Sequence, residues 1–209
     1  GHAAAVTAVV GGVKQGVACR DGIGGFHGGR PKTGIIIRAD LATVAGISIE
    51  SSPMQITRRL EFDAGHRIPD HQSQCRHLHG HRYVIEITLR GSVIQASGDP
   101  ANGMVMDFSE VKSLACQHLV DAWDHAFLAF RGDTPIVDFL ATLPGHKTVL
   151  LDVVPTAENL AALAFSTLDR VYLDRYGNQL RLERVRIFET PNCWADALRE
   201  ECAGAPSMT

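Results

Sequence analysis

Hydrophobic and polar positions fall into a regular order only from about residue 54 onward. Ile56, Arg58, Leu60 and Phe62 alternate loosely with polar neighbours, the period of a strand. Tyr83-Val84-Ile85-Glu86-Ile87-Thr88-Leu89 is β-branched and aromatic and stops before Gly91, which predicts a second strand. Asp107 then reads as an N-cap with Glu110 at the third helical position. Phe108, Val111, Leu114, Ala115, His118, Leu119 and Ala122 follow at helical spacing, predicting an amphipathic helix to about Ala122. A second helix is predicted after Pro155, with Thr156 as N-cap, Leu160, Leu163, Ala164, Leu168 and Val171 on one face, and Gly177 past its end. Arg181 to Phe188 and Trp194 to Leu198 read as two further strands joined by a Pro191-Asn192 turn. The order is strand, strand, helix, helix, strand, strand.

Two stretches stand apart. Residues 1–53 hold eleven of the twenty glycines and no sustained helical period, so a Gly-rich N-terminal extension, disordered or peripheral, is expected there, with short strand candidates at Ile35-Ile36-Ile37 and Ile47-Ser48-Ile49. The main domain is expected over 54–202, with a tail at 203–209. Residues 131–154, between the helices, exceed the usual loop length and contain Pro144-Gly145 and the apolar run Val149-Leu150-Leu151. Some structure of their own is expected, with a short helix around Ile136 to Leu143 and a role lining or covering a pocket.

Composition narrows the function classes. The 209 residues suit one domain with a sizeable core, and a net charge of -3 leaves no broad basic footprint for nucleic acid, so a small-molecule partner is expected. The five cysteines, Cys19, Cys75, Cys116, Cys193 and Cys202, are odd in number and form no Cys-x-x-Cys pair, which fits a reducing compartment. No run approaches the roughly 18 apolar residues of a membrane span, and no basic segment followed by a long apolar run opens the chain. A cytoplasmic protein without membrane contact is the expectation.

The candidate chemistry is concentrated in sixteen residues that carry five of the ten histidines: His66, His71, His77, His79 and His81. His79 and His81 are one residue apart, so in a strand both point to one face, and a hairpin-like return over 67–78 would bring His66 alongside. Three imidazoles with no obligatory fourth ligand suit a catalytic zinc with an open position. His71 and His77 read as loop or supporting positions. Cys75, among Gln74, Arg76 and His77, is a plausible reactive thiolate, whereas Cys116 inside the first helix fits a small buried hydrophobe. Asp124-His125 and Glu189-Thr190-Pro191-Asn192 are weak evidence when taken alone.

Together these residues form a resemblance. Phe62-Asp63-Ala64-Gly65-His66, Cys75-Arg76-His77-Leu78-His79-Gly80-His81, Met106-Asp107-Phe108, Asp124-His125, Pro155-Thr156-Ala157-Glu158-Asn159-Leu160 and Glu189-Thr190-Pro191 occur in the order found in the 6-pyruvoyl-tetrahydropterin synthase and 6-carboxytetrahydropterin synthase family, which the chain resembles from about residue 54 to 199. The resemblance implies an α+β tunnelling fold whose antiparallel sheet closes into a barrel on oligomerisation, giving a homohexamer, a dimer of trimers, with active sites between subunits. It implies one zinc per subunit on His66, His79 and His81, with Cys75 as proton acceptor and Asp124 with His125 as a second proton-handling unit. Glu189 would anchor the pterin, with Thr156 and Glu158 as further pterin contacts.

The Cys-x-x-Leu-His-Gly-His spacing resembles the bacterial 6-carboxytetrahydropterin synthases of queuosine biosynthesis. The implied reaction is zinc-dependent, a carbon-carbon lyase reaction that converts 7,8-dihydroneopterin triphosphate to 6-carboxy-5,6,7,8-tetrahydropterin with release of acetaldehyde and triphosphate. The alternatives are 6-pyruvoyl-tetrahydropterin synthase activity and a non-catalytic zinc-binding assembly module. Arg67 and Arg82 lie close in sequence to the ligands, but no triphosphate-binding set is assigned.

Overall fold

The first strand, β1 (Met54–His66), turns its even positions Leu60, Phe62, Ala64 and His66 inward, while Arg59 and Glu61 face away. β2 (His79–Gly91) pairs antiparallel with it along its whole length, and Tyr83, Ile85, Ile87 and Leu89 join the same buried face. The computed structural model describes residues 52–199. The N-terminal extension with its strand candidates at 35–37 and 47–49, and the tail at 203–209, lie outside the described residues.

β5 (Leu180–Thr190) pairs antiparallel with β2, and β6 (Cys193–Leu198) with β5. Between Thr88 and Leu89 the β2–β5 register shifts, because Glu183 is the extra residue of a bulge. That residue lets Leu182 and Val185 both point into the core although three positions separate them. The helices cover this face. Asp107 caps α1 (Phe108–Ala115) by accepting from the Ser109 amide at 2.7 Å, as expected from the sequence. Glu110 does not complete the reciprocal half of the cap, because its carboxylate takes Arg175 and the Tyr176 hydroxyl instead. The single helix expected to Ala122 is interrupted by a π-helical segment, Cys116–Val120, before α2 (Asp121–Trp123).

The connection expected between the helices contains a βαβ unit of its own. β3 (Ala126–Phe130) pairs parallel with the last three residues of β1, α3 (Thr134–Ala141) crosses over, and β4 (Thr148–Leu151) pairs parallel with β3. The sheet therefore has six strands in the order β4-β3-β1-β2-β5-β6. It is mixed, where a purely antiparallel one was expected, because a helical crossover can only return the chain parallel. The expected strand-strand-helix-helix-strand-strand frame is retained around this addition, and the expected helix at 136–143 lies two residues earlier.

α4 (Ala157–Tyr176) packs against β5 and β6 with Leu160, Ala164 and Leu168 fully buried. Thr156 caps it through the Asn159 amide, and Gly177 ends it at φ +58°, a left-handed conformation that glycine adopts without strain. The other face of the sheet is polar where β1, β2, β5 and β6 adjoin. It bears Thr57 and Thr88, whose hydroxyls lie 2.9 Å apart, the bidentate Arg186–Asp196 pair, and Trp194 beneath the Arg186 guanidinium. Among the described residues no helix is long and apolar enough to cross a membrane.

Leu168→Ala deletes a side chain with no exposed surface. Urea denaturation of that variant is expected to show a loss of about 2–5 kcal/mol, with the slope against denaturant unchanged.

Candidate metal centre and active site

The β1–β2 pairing places His66 directly opposite His79, with Gly65 opposite Gly80 and Ala64 opposite His81. Because alternate residues share a face, His66, His79 and His81 converge on one side, with ring centroids 4.5, 5.2 and 5.0 Å apart. One nitrogen from each ring lies within 4.8 Å of the others. Gly80 is required here: a Cβ at that position would stand 2.9 Å from the Ala64 carbonyl oxygen. The expected hairpin return over 67–78 is present and is tied at its base by the Ile68 amide donating to the Cys75 carbonyl at 2.8 Å.

Two of the rings are fixed by backbone carbonyls. His66 Nδ1 donates to the Pro155 carbonyl at 2.7 Å, and His79 Nδ1 donates to the His77 carbonyl at 2.7 Å. A carbonyl can only accept, so both protons sit on Nδ1 and both Nε2 lone pairs are free. His66 Nε2 is buried and has no hydrogen-bond partner. Such an orphaned acceptor costs about 1–3 kcal/mol unless something binds it, and a cation held with His79 and His81 would satisfy it. Burial also holds His66 and His81 below the usual histidine pKa, which keeps the imidazoles neutral and able to coordinate. The three residues thus fit a metal ion, and the donor set suits zinc.

Glu189, at the end of β5, brings Oε1 to 3.4 Å from His66 Nε2 and 3.9 Å from His81 Nε2. Cys75 lies half-buried in a 3-10 turn, Gln74–Arg76, within the same loop. Tyr83, fully buried, packs edge-on against His66 and His81; burial, with Glu189 and Cys75 nearby, pushes its phenol pKa up. His77 supports the triad through its carbonyl, and exposed His71 accepts from the Ser73 amide through Nδ1. Thr156 adjoins Pro155, which bonds His66, but spends its hydroxyl on capping α4; Glu158 is exposed, and no contact joins it to the triad.

Asp124 and His125 form a separate cluster with Asp63. His125 Nδ1 lies 2.9 Å from Asp124 Oδ2, and the other carboxylate oxygen accepts from the Asp63 amide at 3.0 Å. That backbone hydrogen bond is the main reason the Asp124 carboxyl is held below its ordinary pKa. His125 has φ +57°, a left-handed conformation that costs a non-glycine residue roughly 1–2 kcal/mol. Its amide donates to the Asp63 carbonyl at 2.6 Å. The ring lines an open cleft of about 560 Å³ with Asp63, Gly65, Gly80, His81, Arg82 and Phe127. Within one protomer the Asp63, Asp124 and His125 group and the three imidazoles form two separate clusters.

Sequence reasoning missed the Asp63 amide and carbonyl and the Pro155 carbonyl, backbone groups that only the fold brings into reach. Arg67 and Arg82 are each committed to a carboxylate, Arg67 to Asp133 and Arg82 to Asp63.

The family described as 6-pyruvoyl tetrahydropterin synthase matches residues 55–200. The chain is 38% identical over 144 residues to a protein named 6-carboxy-5,6,7,8-tetrahydropterin synthase from Rickettsia bellii, covering 68% of this chain and 99% of that protein. A protein of the same name from Haemophilus influenzae is 29% identical over 145 residues, covering 68% and 96%. Among solved structures, 6-pyruvoyl tetrahydropterin synthase of Caenorhabditis elegans is similar with a TM-score of 0.50 at 26% identity, covering 70% of this chain and 96% of that one. An uncharacterised protein of Wolinella succinogenes is similar with a TM-score of 0.57 at 21% identity, covering 71% and 99%, a likeness of fold alone.

His66→Ala is expected to abolish metal retention. Elemental analysis of the dialysed wild-type protein should give about one ion per chain and the variant close to none.

Proposed function

Because this chain belongs to the 6-pyruvoyl tetrahydropterin synthase family, we propose that it converts 7,8-dihydroneopterin triphosphate and water to 6-carboxy-5,6,7,8-tetrahydropterin, acetaldehyde and triphosphate. The carbon-carbon lyase reading is carried by the convergence of three imidazoles and Glu189 in a chain that spans nearly the full length of relatives named for that reaction. His66, His79 and His81 would hold one zinc per subunit. Bound there, zinc supplies Lewis-acid polarisation of the side-chain oxygens and acidifies the adjacent positions.

The remaining roles fall to the chain's own groups. Glu189 faces the imidazole cluster, and its carboxylate accepts two parallel hydrogen bonds from the pterin amino group and neighbouring N–H, which orients the ring. Cys75, as thiolate, accepts the proton removed from the substrate side chain. In the Asp124–His125 unit, Nδ1 faces the Asp124 carboxylate at 2.9 Å, so Nε2 gives and takes the second proton. Thr156 and Glu158 are assigned as secondary contacts to the pterin.

Assembly completes the site in this reading. Asp124–His125 and the imidazoles form two separate clusters in one protomer, which supports a site built between subunits. Among the described residues, β1 from Met54 to Asp63 has no strand partner on its outer edge, and neither does β6. Edge-to-edge closure into a ring removes both, and stacked rings give the proposed homohexamer. Queuosine biosynthesis in the cytoplasm is the setting this reading implies.

The test is product analysis with purified protein and 7,8-dihydroneopterin triphosphate. Acetaldehyde and triphosphate should appear together, and loss of triphosphate with a pyruvoyl product alone would sink the reading in favour of 6-pyruvoyl-tetrahydropterin formation. Cys75→Ala should keep its zinc while turnover falls about 100-fold or more; full turnover in that variant defeats the role of the thiol.

A further inference from the structure

We infer that the connection between α2 and α4 is a brace for the catalytic groups, with Lys147 and Asp133 as positioning residues for the Asp124–His125 turn and the Cys75 loop. The inference rests on the roles proposed above for those groups.

Lys147 stands just before β4, and its Nζ donates to the Asp121 carbonyl at 2.7 Å and to the Asp124 carbonyl at 2.6 Å. These carbonyls lie in the last turn of the continuous helical run Phe108–Trp123 and at its C-cap, where a helix leaves acceptors unpaired and its dipole favours a cation. Asp124 is followed at once by His125 in its left-handed conformation. The backbone of Lys147 acts on the far side of the same turn, because the Phe127 amide donates to its carbonyl at 2.9 Å. His125 is thus held between two contacts from one residue. A third hydrogen bond, from its own amide to the Asp63 carbonyl, leaves the turn little room to relax to an ordinary conformation.

The other end of the connection grips the cysteine loop. Asp133 occupies the N-cap position of α3, yet its carboxylate makes no capping bond. It accepts from Arg67 Nε at 2.6 Å and Nη2 at 3.0 Å instead, and it is buried. A bidentate pair of this kind fixes orientation as well as distance. Arg67 follows the ligand His66 and also reaches the Arg76 carbonyl, next to Cys75. Since β4 pairs with β3 from Phe127 onward, the two grips belong to one hydrogen-bonded unit. The segment that looked like an overlong loop therefore fixes both proton-handling groups relative to the hairpin.

The experiment compares full-length wild type, Lys147→Met, Lys147→Arg and Asp133→Asn. In Lys147→Met, kcat is expected to fall on the order of 10- to 100-fold with KM within about twofold, and Lys147→Arg should recover most of the rate. Metal content stays at the wild-type level. Amide exchange at Asp124 to Ala126 should quicken in Lys147→Met and not in Lys147→Arg. Asp133→Asn should likewise lower kcat at constant KM and speed alkylation of Cys75 by iodoacetamide, which keeps the proposal testable if Lys147→Met does not fold. Rates, exchange and alkylation all at wild-type values would overturn the brace. Absence of turnover in the wild type would instead count against the proposed reaction, and exchange and alkylation then decide the brace by themselves.

Discussion

The pairing register of the β1–β2 hairpin is the constraint on which the site depends. His66 stands opposite His79, and the side chains of a strand alternate between faces, so the three imidazoles meet only in this register. A slip by one residue would send the whole histidine set of one strand to the other face. Two features hold it in place. The apolar residues Leu60, Phe62, Tyr83, Ile85 and Ile87 must face the helices, and Gly80 sits opposite Gly65 where its own Cβ would stand 2.9 Å from the Ala64 carbonyl oxygen. Core burial and ligand geometry therefore select the same register.

Burial then decides what the imidazoles can do. His66 is enclosed, its Nδ1 proton is engaged by the carbonyl that precedes α4, and its Nε2 is left facing His79, His81 and Glu189. A neutral ring with a directed lone pair is what a metal needs, and the helix that supplies the carbonyl is positioned by its own packing on β5 and β6. The second long helix is thus part of the site although none of its own side chains joins the triad. Asp124 and His125 use the same device in their own cluster, where the Asp63 amide donates to one carboxylate oxygen and the Asp63 carbonyl accepts from the His125 amide.

Much of the fold was legible because period and punctuation agreed. The alternation before Phe62, the β-branched run to Leu89, the caps at Asp107 and Thr156 and the stop at Gly177 are local statements, and each matches its element. β3 was not legible. Ala126-Phe127-Leu128-Ala129-Phe130 has no clean alternation, because a strand inserted parallel to β1 and buried on most sides reads as a short apolar run of either kind. Glu110 shows the same limit at a single residue: its spacing from Asp107 predicted a capping box, and Arg175 and Tyr176, sixty-five and sixty-six positions away, took its carboxylate instead.

By itself the sequence determined the strand and helix frame, the His-x-His pair with its third histidine, and the placement of Cys75 four residues before His79, since all of these depend on spacing along one chain. Tertiary structure alone decided which carbonyls fix the imidazole tautomers, that Asp63 and Lys147 hold the Asp124–His125 turn, that Arg67 and Arg82 are committed to carboxylates, and that His125 and the three imidazoles fall into separate clusters. The physical reason is the same in each case. Backbone amides and carbonyls are present at nearly every position, so a sequence cannot mark the few that folding brings within hydrogen-bonding distance.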